Sequence, residues 1–226
     1  MNSPDIPGLR NIDPDDISEV LSKVEKSFGF KFDSTETEGV TTFGKLCDLI
    51  SGKIRGENSN DCTTQQAFYK LRNAIADTLL ISHKNLTPDT ALQTLFPENI
   101  RRRSVKAIDH YLGFRTKVLR PKHAITALLT MMMLGSLIIL FISWQTALSG
   151  FIISTLGTAV ANRYGNQLDL TTLGQFAEKI AREHYFKSRR LPLTINRNEI
   201  EETVRMLFIA DLGLEKNQLT RDASFV

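Results

Sequence analysis

The sequence predicts an all-α protein made of small helical bundles and one apolar two-helix hairpin. Three observations support this fold class. Apolar residues recur at three- and four-residue intervals through most of the polar chain, which is typical of amphipathic helices. Residues 123–161 contain no Asp, Glu, Lys or Arg. Residues 101–122, just before that stretch, carry eight basic side chains and one acid in a chain whose formal net charge is +3.

The uncharged stretch divides into two apolar runs, residues 124–142 and 146–161, separated by Ser143-Trp144-Gln145. At ~1.5 Å per residue the first run spans roughly 28 Å, close to the ~30 Å hydrocarbon core of a bilayer. We therefore predict a transmembrane helical hairpin over residues 123–162. The competing interpretation is a hairpin buried in a protein core, because helices that are apolar all round also occur there.

The charges that flank the hairpin predict its orientation. Basic residues stand on both sides of the hairpin, and the turn between its helices is uncharged. The positive-inside rule then places both ends in the cytoplasm. The prediction is an integral protein of a bacterial inner membrane, with both termini and the bundles on the cytoplasmic side, where Cys47 and Cys62 stay free thiols.

Start and stop signals divide the rest of the chain into helices. Asp13-Pro14-Asp15 predicts a helix start, and Gly29 predicts the end of the same helix. Predicted helices cover residues 15–28, 64–80, 99–112 and 198–212, and two more begin after Thr42 and Thr172.

The predicted domain boundaries follow these helices and the linker at residues 56–61. The segments are a flexible tail at 1–12, a helical half at 13–55, a second half at 62–122, the hairpin at 123–162, a closing helix at 168–187 and a C-terminal half at 197–226.

Short phrases repeat along the chain. Residues 41–46, Thr-Thr-Phe-Gly-Lys-Leu, match residues 171–176, Thr-Thr-Leu-Gly-Gln-Phe, 130 positions later. Residues 79–89 match residues 212–222, at an offset of 133. These repeats indicate that one helical unit occurs twice and that the hairpin is inserted in one copy.

The order of these phrases resembles the acyl carrier protein family. A first helix leads to Leu-Thr-Pro-Asp-Thr at residues 86–90, a second helix ends at Leu112-Gly113-Phe114, and a last helix opens with Thr-Thr-x-Gly. The resemblance implies antiparallel four-helix bundles. One would join segments 62–122 and 168–187, and segment 197–226 would close onto segment 13–55, as in a circular permutation.

The chain departs from the family at the attachment site. The family carries phosphopantetheine on a serine that opens the second helix, and the matching positions here are Glu98 and Pro14. Neither side chain forms a phosphodiester. Ser104 is a weak candidate, because it lies inside the predicted helix. We therefore expect no prosthetic group and no other cofactor.

The second helix of the family is typically acidic, whereas the matching helix here opens with three arginines. The predicted basic patch consists of Arg101, Arg102, Arg103, Lys106, Arg115, Lys117, Arg120 and Lys122. Three interpretations stay open: a solvated helix face, contact with anionic lipid headgroups, and docking of an acidic protein such as an ordinary acyl carrier.

Small residues predict how the hairpin packs. Gly150, Ser154, Gly157 and Ala161 follow one another at intervals of four, three and four, which places them on one stripe of the second helix. We expect this stripe to face the first helix, with Gly135 as a matching hollow. The alternative is that small residues are simply common in membrane helices.

The sequence lacks the usual signals of catalysis. The four histidines are scattered, and no metal-ligand spacing, glycine-rich phosphate loop or nucleophile elbow is present. We expect no catalytic residue, no metal site and no nucleic-acid partner. The predicted function is a membrane-anchored, non-catalytic adaptor of acyl-carrier-like halves. The alternative is a working acyl carrier, or an accessory subunit of a lipid or polyketide enzyme system, with an unrecognised attachment site.

Overall fold

A computed structural model describes residues 9, 12–33, 35–191 and 194–225. The protein is all-α, as predicted, with a few two-residue strands. The helices are α1 (Pro14–Phe28), α2 (Phe43–Lys53), α3 (Thr63–Leu79), α4 (Leu92–Leu95), α5 (Arg101–Leu112), α6 (His123–Ile139), α7 (Trp144–Tyr164), α8 (Leu173–Glu183), α9 (Tyr185–Ser188) and α10 (Arg197–Leu212). The strands are β1 (Glu57–Asn58), β2 (Leu119–Arg120), β3 (Gln167–Leu168) and β4 (Thr194–Ile195).

Local side-chain caps explain where several helices begin and end. Asp13 Oδ1 accepts a hydrogen bond of 2.9 Å from Asp15 N at the start of α1. Thr42 Oγ1 accepts one of 3.4 Å from Lys45 N at the start of α2. Gly29 ends α1 at φ 63°, a left-handed conformation that glycine adopts without strain.

The chain forms two compact units, which we call the terminal unit (Met1–Leu71 with Ala177–Val226) and the central unit (Arg72–Phe176). Residues from both ends of the chain share the core of the terminal unit, where Val24, Phe28 and Phe43 pack with Val204 and Phe208. The unit boundaries fall inside α3 and α8, whereas the predicted domain boundaries fall between helices.

The repeated phrases make equivalent backbone hydrogen bonds within each unit. In the terminal unit, Phe43 N donates to Ala223 O (2.9 Å) and Gly44 N to Arg221 O (2.7 Å). In the central unit, Leu173 N donates to Thr90 O (2.9 Å) and Gly174 N to Pro88 O (2.7 Å). The sequence offsets of 130 and 133 residues therefore relate segments that play the same structural role.

The strands were not predicted from the sequence. β1 pairs in parallel with β4, and β2 pairs antiparallel with β3. β1 lies in the segment predicted to be a linker. Each strand has only two residues, too few for an alternating pattern, and its partner lies far away in the chain.

The prediction of a transmembrane hairpin is wrong. Among the residues that the structure describes, no helix combines the length and the apolar composition needed to cross a membrane. α6 has 17 residues and ends at Ile139, because residues 140–143 form the turn. α7 has 21 residues, but polar side chains such as Gln145, Ser149 and Asn162 interrupt its apolar run. The predictions of two membrane spans and of an integral membrane protein with cytoplasmic bundles are corrected accordingly.

The two hairpin helices nevertheless pack closely at the small residues of α7. A Cβ atom added at Gly150 would clash with the Ser136 hydroxyl, and one added at Gly157 would lie 2.8 Å from Leu129 Cδ2. Ser154 is buried between these two glycines. Ala161 is half-buried, and no atom lies within 4 Å of a Cβ added at Gly135, so Gly135 faces open space.

Most of the predicted flexible tail lies outside the described residues. Leu9 is described and is 2% exposed in the core of the terminal unit, and Ile12 packs against the same core. These two apolar residues attach the end of the tail to the bundle.

Candidate docking face

Helix α5 of the central unit divides cleanly into an inward and an outward face. Its buried residues are Arg101, Ser104, Val105 and Ile108, at helical spacing. The outward face, which we call the α5 face, exposes three cations together with apolar and aromatic side chains. Its members are Ile100, Arg102, Arg103, Lys106 and Tyr111.

Arg101 belongs to the predicted basic patch but is turned inward. Its side chain donates from Nε to Phe96 O (2.8 Å) and from Nη1 to Asn166 O (2.7 Å). The residue is 8% exposed. Arg101 therefore holds α5 against neighbouring loops and contributes little to the surface that a partner meets.

Arg102 is held in place by an aromatic ring. Its guanidinium carbon lies 4.9 Å from the centroid of the Tyr164 ring at the end of α7. A cation above an aromatic ring at this distance is attracted by the ring quadrupole. The stacking presents a charged group to solvent with less conformational freedom than an unsupported arginine has.

Arg103 and Lys106 are exposed and one turn apart on the α5 face. Within the described part of the chain, neither side chain has an ion-pair or hydrogen-bond partner. The macrodipole disfavours arginines in the first turn of an exposed helix by about 0.3–1 kcal/mol each. The macrodipole therefore gives Arg102 and Arg103 no stabilising role in the first turn of α5.

The remaining predicted basic residues are exposed and lie C-terminal to α5. Arg120 pairs with Asp169 (2.8 Å) and Lys122 pairs with Glu98 (3.7 Å), so acids of the same unit partly neutralise both. Arg115 and Lys117 are also exposed. The strongest uncompensated charge therefore lies on the α5 face.

The C-terminal end of α5 is closed by a half-buried acid. Asp109 Oδ1 accepts hydrogen bonds from Thr116 N (2.9 Å) and Thr116 Oγ1 (2.7 Å). Burial raises the pKa of Asp109 above its ordinary value, and the bonds from Thr116 oppose that shift. With Gly113 at φ 74°, these bonds hold the loop after α5 in one path.

The sequence singled out the arginines of this face but not its uncharged residues. Ile100 is 42% exposed and Tyr111 is 53% exposed. Tyr111 stands eight residues after Arg103, about 80° round the helix from it, and its hydroxyl donates a hydrogen bond to Asp77. Helical phase would have revealed the mixed apolar and basic surface, and also the inward position of Arg101.

Ser104, the weak candidate for cofactor attachment, is 6% exposed and faces inward. An enzyme that modifies a serine needs access to its hydroxyl, and Ser104 offers none in this fold. Across the described residues, no group of three or more His, Cys, Asp or Glu side chains is arranged to hold a metal ion.

The two cysteines differ in environment. Cys62 is exposed, whereas Cys47 is buried in the core of the terminal unit. Burial, assisted by repulsion from Glu201, raises the pKa of the Cys47 thiol to about 12. A thiol in this environment is a poor nucleophile, because the thiolate is the reactive form.

We expect alkylation at pH 8 to modify Cys62 readily and to modify Cys47 about a thousandfold more slowly, since its pKa rises from 9.0 to about 12. Iodoacetamide labelling followed by peptide mass mapping measures both rates. In urea the two rates should become similar. Equal rates in the folded protein would contradict the buried environment of Cys47.

Comparison with protein family models, with characterised proteins and with solved structures gives no match to this chain.

Proposed function

We propose that the protein is a non-catalytic interaction protein that binds an acidic protein on the α5 face. The observation that carries this proposal is the group of exposed cations on α5, where Arg103 and Lys106 have no partner in the described residues and a ring positions Arg102. Arginine next to exposed aromatic and aliphatic side chains is typical of protein interfaces.

A protein partner fits this face better than a lipid surface. Arginine pairs with carboxylates in a defined, often bidentate geometry. A guanidinium that is already held in place, as that of Arg102 is, loses less conformational freedom when such a pair forms. Attraction to lipid headgroups needs only positive charge near the surface. Tyr111 and Ile100 add uncharged area that a complementary protein surface can cover.

The resemblance to acyl carriers supplies the chemistry of the partner. That resemblance rests on the order of the short phrases along the sequence. Acyl carriers typically present an acidic second helix to basic surfaces. An ordinary acidic acyl carrier is therefore the partner that we propose.

Reversing the charge of the α5 face should abolish most of the binding. We expect the triple change Arg102→Glu, Arg103→Glu and Lys106→Glu to weaken binding of a purified acidic acyl carrier protein at least about tenfold, because attraction becomes repulsion. Isothermal calorimetry at low and high salt measures this loss. Wild-type affinity should fall as salt rises.

A matched control reverses three exposed cations of the terminal unit, Lys26, Lys31 and Arg55, with the same change in net charge. This variant should retain wild-type affinity apart from a small loss caused by long-range electrostatic repulsion. Equal losses in both triple variants would show that only net charge matters. Binding to anionic phosphatidylglycerol vesicles without binding to the acyl carrier would replace the protein partner with lipid.

The alternative, a working acyl carrier, is tested on the same preparation. Incubation with a phosphopantetheinyl transferase and coenzyme A should leave the intact mass unchanged, because Glu98 and Pro14 occupy the matching positions and Ser104 is buried. A gain of one phosphopantetheine group would contradict the non-catalytic proposal and favour the alternative.

A further inference from the structure

The hairpin of the central unit exposes apolar side chains along its whole length. Leu128 is 67% exposed, Ile138 69%, Leu148 51% and Leu156 61%. Contiguous exposed apolar surface of more than a few hundred Å² on a protein marks a site of interaction or ligand binding. A ligand for this surface must itself be largely hydrocarbon.

A pocket of about 240 Å³ lies near the turn of the hairpin, between the end of α6 and the start of α7. Leu137, Leu140, Trp144, Leu148 and Phe151 line it. Ser136, the polar residue at its wall, already donates its hydroxyl to Met132 O (2.8 Å). The lining therefore carries no charge, and its polar side-chain groups are the Ser136 hydroxyl, which is already bonded, and the indole N–H of Trp144. The remaining lining suits the end of an alkyl chain.

The opposite end of the hairpin is positively charged. Lys122 immediately precedes α6 and pairs with the exposed Glu98 at 3.7 Å, a contact that a ligand carboxylate would replace, and Arg163 lies in the last turn of α7. Within the described residues Arg163 has no ionic partner, and no side chain caps the N-terminus of α6. A helix N-terminus and two cations at one end favour a carboxylate there.

The charged end and the pocket are separated by the length of α6, about 25 Å for its 17 residues. Between them, Leu129 is half-buried at the contact with α7, where it lies against Gly157. Met133 and Leu137 follow it at four-residue intervals and are 40% and 50% exposed. The hairpin is thus an apolar track with a pocket at one end and positive charge at the other.

We propose that the hairpin binds a free long-chain fatty acid, with the alkyl end in the pocket lined by Trp144 and the carboxylate near Lys122 and Arg163. Charge complementarity selects this ligand, because the positive charge is confined to one end and a saturated chain is uncharged elsewhere. A fully extended palmitate chain is comparable in length to the track. This inference is independent of the docking of an acidic protein on the α5 face.

Trp144 is the sole tryptophan of the chain and lines the pocket, so its fluorescence reports occupancy directly. We expect palmitate, added as monomer to the full-length protein, to change Trp144 emission saturably. Affinity should rise about fourfold for each added methylene through the series laurate, myristate and palmitate. A signal that never saturates, or affinities that do not depend on chain length, would overturn the proposal.

Two matched variants test the pocket itself. Leu148→Glu places a charge in the lining and should weaken palmitate binding at least tenfold. Ile153→Glu makes the same change on another side of α7, at a residue of similar exposure (59% against 51%), and should leave affinity within about twofold. Equal losses would place the ligand outside the pocket. Circular dichroism checks that both variants keep their helices.

The charged end is tested by comparing palmitate with hexadecanol, a neutral ligand of the same chain length. Lys122→Gln with Arg163→Gln should weaken palmitate binding several-fold and leave hexadecanol binding unchanged. Equal effects on both ligands would show that the carboxylate does not bind at that end. A Trp144 emission shift that appears only with lipid vesicles would show that the hairpin binds a bilayer. A shift that appears without ligand as protein concentration rises would show that it binds a second copy of the chain. Either result would overturn the proposal.

Discussion

Phe208→Ala should destabilise the terminal unit by about 3–5 kcal/mol, the range for removing a fully buried aromatic side chain. Phe208 is 0% exposed, and its ring lies 5.5 Å from the Phe43 ring in an edge-on arrangement. It also contacts the Phe225 ring at 6.3 Å. Because Phe208 comes from α10 and Phe43 from α2, the substitution weakens the contact that joins the two ends of the chain.

Hydrogen exchange measured by mass spectrometry localises this effect. Peptides from α1, α2 and α10 should exchange much faster in Phe208→Ala, while peptides from α5 in the central unit should change little. Tyr69→Ala removes an aromatic side chain that is 44% exposed and should cost less than about 1 kcal/mol. A Phe208 variant no less stable than the Tyr69 variant would contradict the shared terminal core.

Gly44→Ala should destabilise the same unit by about 1–3 kcal/mol, the usual cost of adding atoms where there is no space. A Cβ atom at this position would lie 2.8 Å from Arg221 O. That oxygen accepts the hydrogen bond from Gly44 N at 2.7 Å. Relief of the clash requires the segment at Arg221 to move away from α2, which stretches the contact between the chain ends.

Gly52→Ala is the control for this substitution, since Gly52 lies in the same helix and has no atom within 4 Å of an added Cβ. Alanine is a better helix former than glycine by at most ~1 kcal/mol, so this variant should be neutral or slightly stabilised. Urea unfolding followed by circular dichroism compares the two. If Gly44→Ala were as stable as Gly52→Ala, the close approach of residues 44 and 221 would be refuted.

Helix boundaries were largely predictable from the sequence. The predicted helix at 15–28 is observed as Pro14–Phe28, and the one at 198–212 as Arg197–Leu212. Caps and glycine stops act within a few residues of the helix end, so their effect can be read locally. The helix predicted to continue to Phe186 instead ends at Glu183 and is followed by α9.

The hairpin shows where local reading failed. Counting residues without charge gave a first run of 19 residues (124–142). The structure uses residues 140–143 for the turn and leaves α6 at 17 residues. An apolar composition shows which residues lack charge, but it does not show where the chain reverses or which of their side chains are covered.

The candidate docking face was predicted in part. Charge clustering identified Arg102, Arg103 and Lys106, which are exposed, together with Arg101, which is buried. The buried position of Arg101 depends on acceptors at Phe96 and Asn166, the second of which lies 65 residues away. Charge counts alone do not locate such acceptors, and they also missed the ring of Tyr164 beneath Arg102.

The sequence by itself determined the all-α class, the helix limits and the repeated phrases, because propensity, capping and side-chain spacing act between neighbours along the chain. Only the tertiary structure decided which side chains are accessible, including the burial of Ser104 and the outward position of Tyr111. It also decided the pairing of β1 with β4, which joins residues 57 and 194. Accessibility and long-range pairing depend on which distant segments pack together, and a local sequence pattern does not specify that.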